Sequence, residues 1–156
     1  MKVKNMLVFV LIFIAITSII IYKNKNFYKD FSDSKISVKD NDSGIEWQDY
    51  KKGMKLAKLI ENQNKRIFLY FYADWCQYCL KLNETTFKEQ AILDYLKENF
   101  ISILIDTDKE KKLVKDWQVR GLPTMYFLKS DGTSLKTIRG YLGSKKFLKT
   151  LQEVAK

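Results

Sequence analysis

The 156-residue sequence contains no histidine, a single proline and two cysteines. The absence of histidine excludes Ser-His-Asp and Cys-His catalysis, histidine-ligated metals and proton transfer by imidazole. The length allows one compact domain with an appendage, but not two full domains. Because 46% of the residues are hydrophobic and 29% are charged, the composition also excludes a generally disordered or collagen-like chain. We therefore expect a globular protein whose chemistry uses other side chains.

The chain is basic, with 28 Lys and Arg residues against 18 Asp and Glu residues and a net charge of +10. Such a charge is compatible with nucleic acid or an anionic membrane surface as a partner. The lysines are scattered, however, in the way that is typical of a solvated helix face, as at Lys51, Lys55 and Lys58. The sequence therefore predicts no nucleic-acid partner.

Residues 1–25 predict membrane targeting. The run Met6–Tyr22 has only Thr17 and Ser18 as polar interruptions, and as a helix it would be about 25 Å long, within the range that spans a bilayer. We interpret it as an uncleaved anchor, with a removed secretory signal as the second choice, because no A-x-A cleavage pattern follows. A buried core helix is a third interpretation, disfavoured by the terminal position and the charged flank. The flanking lysines are nearly balanced, so they do not decide the membrane orientation.

Residues 26–44 are rich in Asn, Asp, Ser and Lys and predict a polar linker. From residue 45 to 156 the hydrophobic period alternates in the manner of an α/β domain. The pattern predicts a helix over Trp47–Asn62 and central strands over Arg66–Ala73 and Phe100–Ile105. Trp75–Phe100 predicts helix with a break near Thr85–Glu89.

The C-terminal part of the domain predicts a lysine-rich helix through Trp117 and then a β-hairpin. Its strands are Met125–Leu128 and Ser134–Arg139, and Asp131-Gly132 between them is a strong hairpin signal. Ser144 is expected to cap a closing helix that runs through Ala155. After the first helix the predicted order is β, α, β, α, β, β, α.

The two cysteines, Cys76 and Cys79, are separated by two residues where a strand gives way to a helix. At that position they can form a disulfide across the first helical turn. The helix dipole and the unpaired N–H groups of that turn stabilise a thiolate on the first sulfur. We therefore predict that Cys76 is an exposed attacking thiol and that Cys79 is a shielded resolving thiol.

Three other interpretations of the cysteines stay open. A zinc site normally needs four ligands, and with no further Cys and no His a complete site would require two chains or carboxylates, so no metal is predicted. A static structural disulfide would close so short a loop that it would stabilise the fold only weakly. Two unrelated buried thiols would be a coincidence at this spacing. A C-x-x-C within a βαβ pattern favours redox chemistry.

Pro123, the single proline, follows Leu122 just ahead of the strand Met125–Leu128. A proline at the start of a strand suits an edge position, and X-Pro is the one peptide bond that adopts the cis form at modest cost. An ordinary loop proline is the alternative.

Together these features resemble the thioredoxin family, and more closely its exported thiol:disulfide interchange proteins. The resemblance covers residues 45–156 and depends on the helix opened by Trp47, ADWCQYC, the GLPT segment, the Asp-Gly hairpin and Arg139-Gly140-Tyr141. It implies a thioredoxin fold, a central mixed sheet flanked by helices, in which Cys76 is the nucleophile, Cys79 resolves and Pro123 is cis. The substrate-binding residues that it implies are Trp75, Gln77, Tyr78, Leu122 and Pro123. It implies no dissociable cofactor, because the disulfide itself is the redox group.

The sequence also departs from the family. Tyr70 occupies the place, six residues before the first cysteine, where thioredoxins carry a buried acid. The family often has a proline in the active-site helix a few residues after the second cysteine, but here Asn83 and Glu84 occupy that part of the helix. Because Tyr70 replaces the buried acid, Glu84 or Asp74 would have to supply one. Gln77-Tyr78 replaces Gly-Pro, and a tyrosine before the second cysteine is seen in glutaredoxin-like and isomerase-like members.

The sequence as a whole predicts a membrane-anchored enzyme that reduces disulfides of exported proteins. Its domain is expected to lie outside the cytoplasm, in the periplasm or another extracytoplasmic space. Its expected partners are protein disulfides or dithiols and a membrane electron donor. The alternatives are a disulfide oxidase or isomerase that uses the same cysteines, and a non-catalytic binding module of the same fold.

Overall fold

A computed structural model describes residues 16–19, 22, 44–59 and 65–156. The chain divides into two compact units, Met1–Ser37 and Val38–Lys156. In the first unit, residues 16–19 are helical, and no helix among the described residues is long and apolar enough to cross a membrane. Apart from Tyr22, the remainder of the predicted anchor lies outside the described residues, as do residues 26–43 of the predicted linker.

The second unit alternates helices and strands in the predicted order. In its described part the elements are α1 (Tyr50–Leu59), β1 (Arg66–Tyr72), α2 (Gln77–Glu84), a 3₁₀ helix (Thr86–Lys88), α3 (Gln90–Asn99), β2 (Phe100–Asp106), α4 (Lys111–Asp116), β3 (Thr124–Leu128), β4 (Ser134–Arg139) and α5 (Ser144–Val154). The 3₁₀ helix occupies the predicted break at Thr85–Glu89. These bounds confirm the α/β class.

The four strands form one mixed sheet in the order β2-β1-β3-β4. β1 pairs with β2 in parallel and with β3 in antiparallel fashion, and β3 and β4 form the predicted hairpin. Gly132 in its turn has a φ of 90°, a left-handed conformation that glycine adopts without strain. The backbone N–H of Thr133 closes the turn by donating to Oδ1 of Asp131 at 2.7 Å.

Successive residues of β1 point to opposite faces of the sheet and feed two hydrophobic cores. Phe68, Tyr70 and Tyr72 join the core that also contains side chains from α2, the 3₁₀ helix, α3 and α5. Ile67, Leu69 and Phe71 join the other core, with side chains from α1 and α4 packed against it. Because both faces are covered, β1 is a continuous hydrophobic run, as predicted for a central strand.

Two predictions about β2 and the first helix are wrong. β2 was expected to be central, but it is the outer strand of the four, and among the described residues its outer edge pairs only with Gln48, which forms an isolated bridge with Ile103. The first helix begins at Tyr50 rather than Trp47.

Trp47 belongs to the core and not to a helix face. Its ring centroid lies 5.8 Å from that of Phe68 and 5.6 Å from that of Tyr70. A further correction concerns α5, which was expected to be capped by Ser144. Gly143 is the capping residue, in extended conformation and without a side-chain hydrogen bond, and Ser144 is the first helical residue.

Candidate active site

The end of β1 and the start of α2 position Cys76. β1 ends at Tyr72, the N–H of Cys76 donates to the carbonyl of Ala73 at 3.1 Å, and α2 begins at Gln77. Cys76 is therefore the N-terminal capping residue of α2, and its Sγ accepts a hydrogen bond from the backbone N–H of Cys79 at 3.1 Å. The sulfur thus lies at the positive end of the helix dipole, beside the N–H of Cys79, which also donates to the carbonyl of Cys76 at 2.9 Å.

Cys76 and Cys79 form a disulfide with a Cα–Cα distance of 5.2 Å. The prediction that Cys76 is exposed is wrong for this oxidised form, because it is only 6% exposed, against 1% for Cys79. Its neighbours Trp75 and Tyr78 are 68% and 62% exposed and line the same groove as Cys76. The order of accessibility is nevertheless the predicted one, and a reacting group must approach from the Cys76 side.

That approach leads through a groove of about 590 Å³, here called the Cys76 groove. Its lining includes five of the predicted site residues, Trp75, Cys76, Gln77, Tyr78 and Leu122. The other two lie deeper: Cys79 and Pro123 are buried. The structure therefore brings the segments ADWCQYC and GLPT to one surface, with Cys76 on the groove and Cys79 buried.

Three charged residues of the groove were missed in the sequence analysis, namely Asp108, Lys111 and Arg120. All three are exposed, and Lys111 Nζ pairs with Asp108 Oδ1 at 3.2 Å. They follow β2 or precede β3, more than thirty positions from Cys76 along the chain. No local pattern marks them, and only the pairing of the strands brings them to this site.

The loop that carries Leu122 and Pro123 is held in place by two short hydrogen bonds. Thr124 Oγ1 donates to the carbonyl of Gly121 at 2.7 Å, and the N–H of Gly140 donates to the carbonyl of Pro123 at 2.7 Å. The Leu122–Pro123 peptide bond is cis. Among the described residues, the backbone of Leu122 bonds to no other backbone group, so it is free to pair with a bound chain.

Beneath the second cysteine, the position of the missing acid holds a neutral phenol. Tyr70 is fully buried, and its hydroxyl donates to the carbonyl of Cys79 at 3.4 Å. Burial, with a smaller contribution from Tyr72, raises the pKa of Tyr70 far above its ordinary value. Asp74 and Glu84, the acids that the sequence offered instead, are both on the surface.

The chemistry of this site depends on sulfur alone. Within the described ranges there is no cluster of three or more His, Cys, Asp or Glu side chains that would suit a metal ion. The Cys76–Cys79 disulfide is itself the two-electron redox group. A disulfide of this kind exchanges with thiolates through a mixed disulfide and needs no cofactor.

Comparison with known proteins supports this interpretation. A family model described as a thioredoxin-like domain matches residues 54–155. The thiol:disulfide interchange protein DsbD of Photorhabdus laumondii is 28% identical over 103 residues, which are 63% of this chain. The chain spans only 18% of the length of that relative.

Solved structures agree with the sequence comparison. The reduced C-terminal domain of Neisseria meningitidis DsbD is 27% identical with a TM-score of 0.57, over 67% of this chain and 92% of that domain. A thioredoxin from Thermus thermophilus, at 22% identity, superposes with a TM-score of 0.63 over 71% of this chain and 87% of its own. The Thermus thioredoxin match supports the fold alone, and the DsbD match supports the fold together with the thiol:disulfide oxidoreductase family. The chain therefore belongs to the thioredoxin-like family of thiol:disulfide oxidoreductases.

Proposed function

We propose that this protein reduces disulfides of exported proteins through the Cys76/Cys79 couple. The observation that carries the proposal is the position of Cys76 Sγ at the N-terminus of α2, on the groove and accepting the N–H of Cys79 at 3.1 Å. A sulfur in that environment is stabilised as a thiolate, which is the form that attacks a disulfide. Reduction of the pair supplies this thiolate.

The reaction has two exchange steps. The Cys76 thiolate attacks one sulfur of a substrate disulfide, so that a Cys76–substrate bond forms and the other substrate sulfur leaves as a thiolate and takes up a proton. Cys79 then loses its proton and attacks Cys76 Sγ, which releases the second substrate thiol. The products are a reduced substrate and the Cys76–Cys79 disulfide of the present structure.

We place the substrate chain in the Cys76 groove, in an extended conformation along Leu122. The free backbone of Leu122 supports this placement, because an extended segment can form main-chain hydrogen bonds with it. Trp75 and Tyr78 offer large exposed aromatic surfaces in the same groove. Such surfaces bind the apolar parts of many different chains.

The oxidised enzyme then needs two electrons from a dithiol donor. We propose a membrane electron donor, and a location at the membrane with the domain outside the cytoplasm, periplasmic where a periplasm exists. A cleaved, secreted form is the second choice. The apolar run Met6–Tyr22 supports the membrane location, and the similarity to a thiol:disulfide interchange protein supports dithiols and disulfides as its partners.

The test is a trapping experiment in cells with Cys79→Ser. This variant can attack a substrate but cannot resolve the mixed disulfide, so acid-quenched samples on a nonreducing gel should show covalent complexes that dithiothreitol releases. Cys76→Ser is the matched control and should show none. A clean monomer for both variants, together with no reduction of insulin by the wild-type protein, would favour the non-catalytic binding module.

The direction of electron flow is tested separately by the reduction potential. A value near about −270 mV, as in thioredoxin, supports the reductase. A value between about −180 and −120 mV, as in isomerases and oxidants, would contradict the reductase and support the oxidase or isomerase alternative.

A further inference from the structure

Asn83 has a buried side-chain oxygen that no donor satisfies. Its Oδ1 is the only buried side-chain oxygen or nitrogen atom without a hydrogen-bond partner in the described part of the chain. Buried polar atoms nearly always have a partner, and one that lacks it destabilises the state in which it is buried. The oxidised protein therefore contains an acceptor for which it supplies no hydrogen.

The position of Asn83 on α2 relates this acceptor to the second cysteine. Asn83 follows Cys79 by four residues, so the two side chains lie on the same face of the helix, with Cβ atoms about 5–6 Å apart. Side chains in a helix also lean toward the preceding turn, which for Asn83 is the turn that contains Cys79. Cys79 and Leu82 are the buried residues of this helix, and Asn83 is partly buried, with its Oδ1 closed off from solvent.

Reduction of the disulfide creates the missing donor. Cys79 carries no hydrogen on sulfur while it is bonded to Cys76. Two electrons and two protons convert the pair to a dithiol, and the S–H of Cys79 is then a hydrogen-bond donor. At 1% exposure, Cys79 has little access to water as an alternative acceptor.

We propose that Asn83 is a positioning residue that tunes the redox equilibrium of the pair. Its Oδ1 accepts the hydrogen of the Cys79 thiol in the dithiol form and is left without a partner in the disulfide form. The dithiol gains a hydrogen bond, while the disulfide carries the cost of an unsatisfied atom. Both effects favour reduction of the enzyme, and both act through a side chain that takes no part in sulfur exchange.

This inference rests on the proposed function, and the test separates the two. Full-length wild-type protein and Asn83→Leu, solubilised in detergent, are equilibrated with glutathione: the enzyme disulfide and two glutathione molecules give the enzyme dithiol and one glutathione disulfide. Leucine has nearly the shape of asparagine without its acceptor. We expect the equilibrium to shift about fivefold toward the enzyme disulfide, the effect of one net hydrogen bond.

Asn99→Leu is the matched control. Asn99 is also a partly buried helical asparagine, but its Nδ2 donates to the carbonyl of Tyr95 at 3.0 Å, away from the cysteines. This variant should leave the glutathione equilibrium unchanged. Tyr70→Phe tests the other nearby oxygen, and a shift in that variant equal to or larger than in Asn83→Leu would overturn the assignment to Asn83.

Thermal unfolding of the oxidised and the dithiothreitol-reduced forms gives an independent measurement. Asn83→Leu should raise the unfolding midpoint of the oxidised form relative to that of the reduced form. Equal changes in both forms would mean a purely structural role and would overturn the inference. If the wild-type protein does not exchange with glutathione at all, the proposed function fails, and this unfolding comparison still decides the role of Asn83.

Discussion

The indole Nε1 of Trp75 donates a hydrogen bond to Oδ2 of Asp108 at 2.8 Å. This bond joins the loop before α2 to the loop after β2, across one wall of the Cys76 groove. Asp108 is held in turn by Lys111, whose Nζ lies 3.2 Å from its other carboxylate oxygen. A side chain that is 68% exposed is thereby fixed in orientation before a substrate arrives. Fixing a contact residue in advance lowers the entropy lost on binding.

We therefore predict that Asp108→Ala weakens the reaction with proteins but not with small disulfides. Ordering one large side chain costs on the order of 1 kcal/mol, so kcat/KM for insulin reduction should fall about fivefold. The rate with glutathione disulfide, which is too small to need the Trp75 wall, should stay within about twofold. Stopped-flow measurements with both substrates check the prediction.

The matched control for that prediction is Asp116→Ala. Asp116 is likewise an exposed acid paired with a lysine of α4, here Lys112, but it does not line the Cys76 groove. Neither rate should change in this variant. An equal fall for insulin and glutathione disulfide in Asp108→Ala would show that the carboxylate acts on the sulfur chemistry and not on the position of Trp75.

The cysteine pair could be predicted from the sequence because its geometry is local. The spacing of Cys76 and Cys79, and the change from strand to helix period at Ala73, place both sulfurs in one helical turn whatever the rest of the chain does. The hairpin at Asp131-Gly132 is local in the same sense. These features depend only on neighbouring residues, so they can be recognised in a single sequence.

Features that depend on distant contacts could not be predicted. Asp108 reaches the groove only because β2 lies beside β1 in the sheet. Trp47 has helical spacing with the residues that follow, yet its contacts with Phe68 and Tyr70 place it in the core before α1 begins. The low exposure of Cys76 likewise depends on its surroundings in the folded protein. In each case the position of the side chain is decided by tertiary packing, which the local sequence pattern does not determine.

The reduced protein should show very different reactivities at its two cysteines. Cys76 Sγ lies on the groove beside the N–H of Cys79, while Cys79 is behind it. Thiolate character and access both favour Cys76, so we expect iodoacetamide to alkylate Cys76 at least about tenfold faster than Cys79. Mass spectrometry of digests at successive times gives both rates. In urea the two rates should become similar; faster alkylation of Cys79 in the folded protein would contradict the assignment of roles.

Gly53 is required by the close approach of α1 to β2. A Cβ added at this position would lie only 2.5 Å from Cδ1 of Ile103. In Gly53→Ala overpacking should cost about 1–3 kcal/mol, against the roughly 1 kcal/mol that alanine gains in a helix, so we expect a net loss of stability of up to about 2 kcal/mol. Urea unfolding measures the difference. Gly121→Ala is the control, because no heavy atom lies within 4 Å of a Cβ there, and an equal loss of stability in both variants would contradict the role of Ile103.

The buried phenol of Tyr70 should make the domain sensitive to alkali. Burial, and to a lesser degree Tyr72, raises the pKa of Tyr70 in the folded protein above its unfolded value of about 10. A group whose pKa is raised by folding contributes stability that is fully present below the unfolded pKa and is lost as the pH rises beyond it. The free energy of unfolding should thus decline above about pH 10, with a slope from this group approaching about 1.4 kcal/mol per pH unit.

Tyr70→Phe isolates this contribution, because the variant keeps every lysine and the remaining tyrosines of the wild-type protein. At neutral pH it should lose about 1 kcal/mol of stability with the hydrogen bond to the carbonyl of Cys79. Between about pH 10 and 11.5 its stability should decline less steeply than that of the wild-type protein, so that the two curves converge. Urea unfolding at a series of pH values measures both curves. Parallel curves over this range would mean that Tyr70 ionises as readily in the folded domain as in the unfolded chain, and that the position beneath Cys79 is not the closed, neutral environment described above.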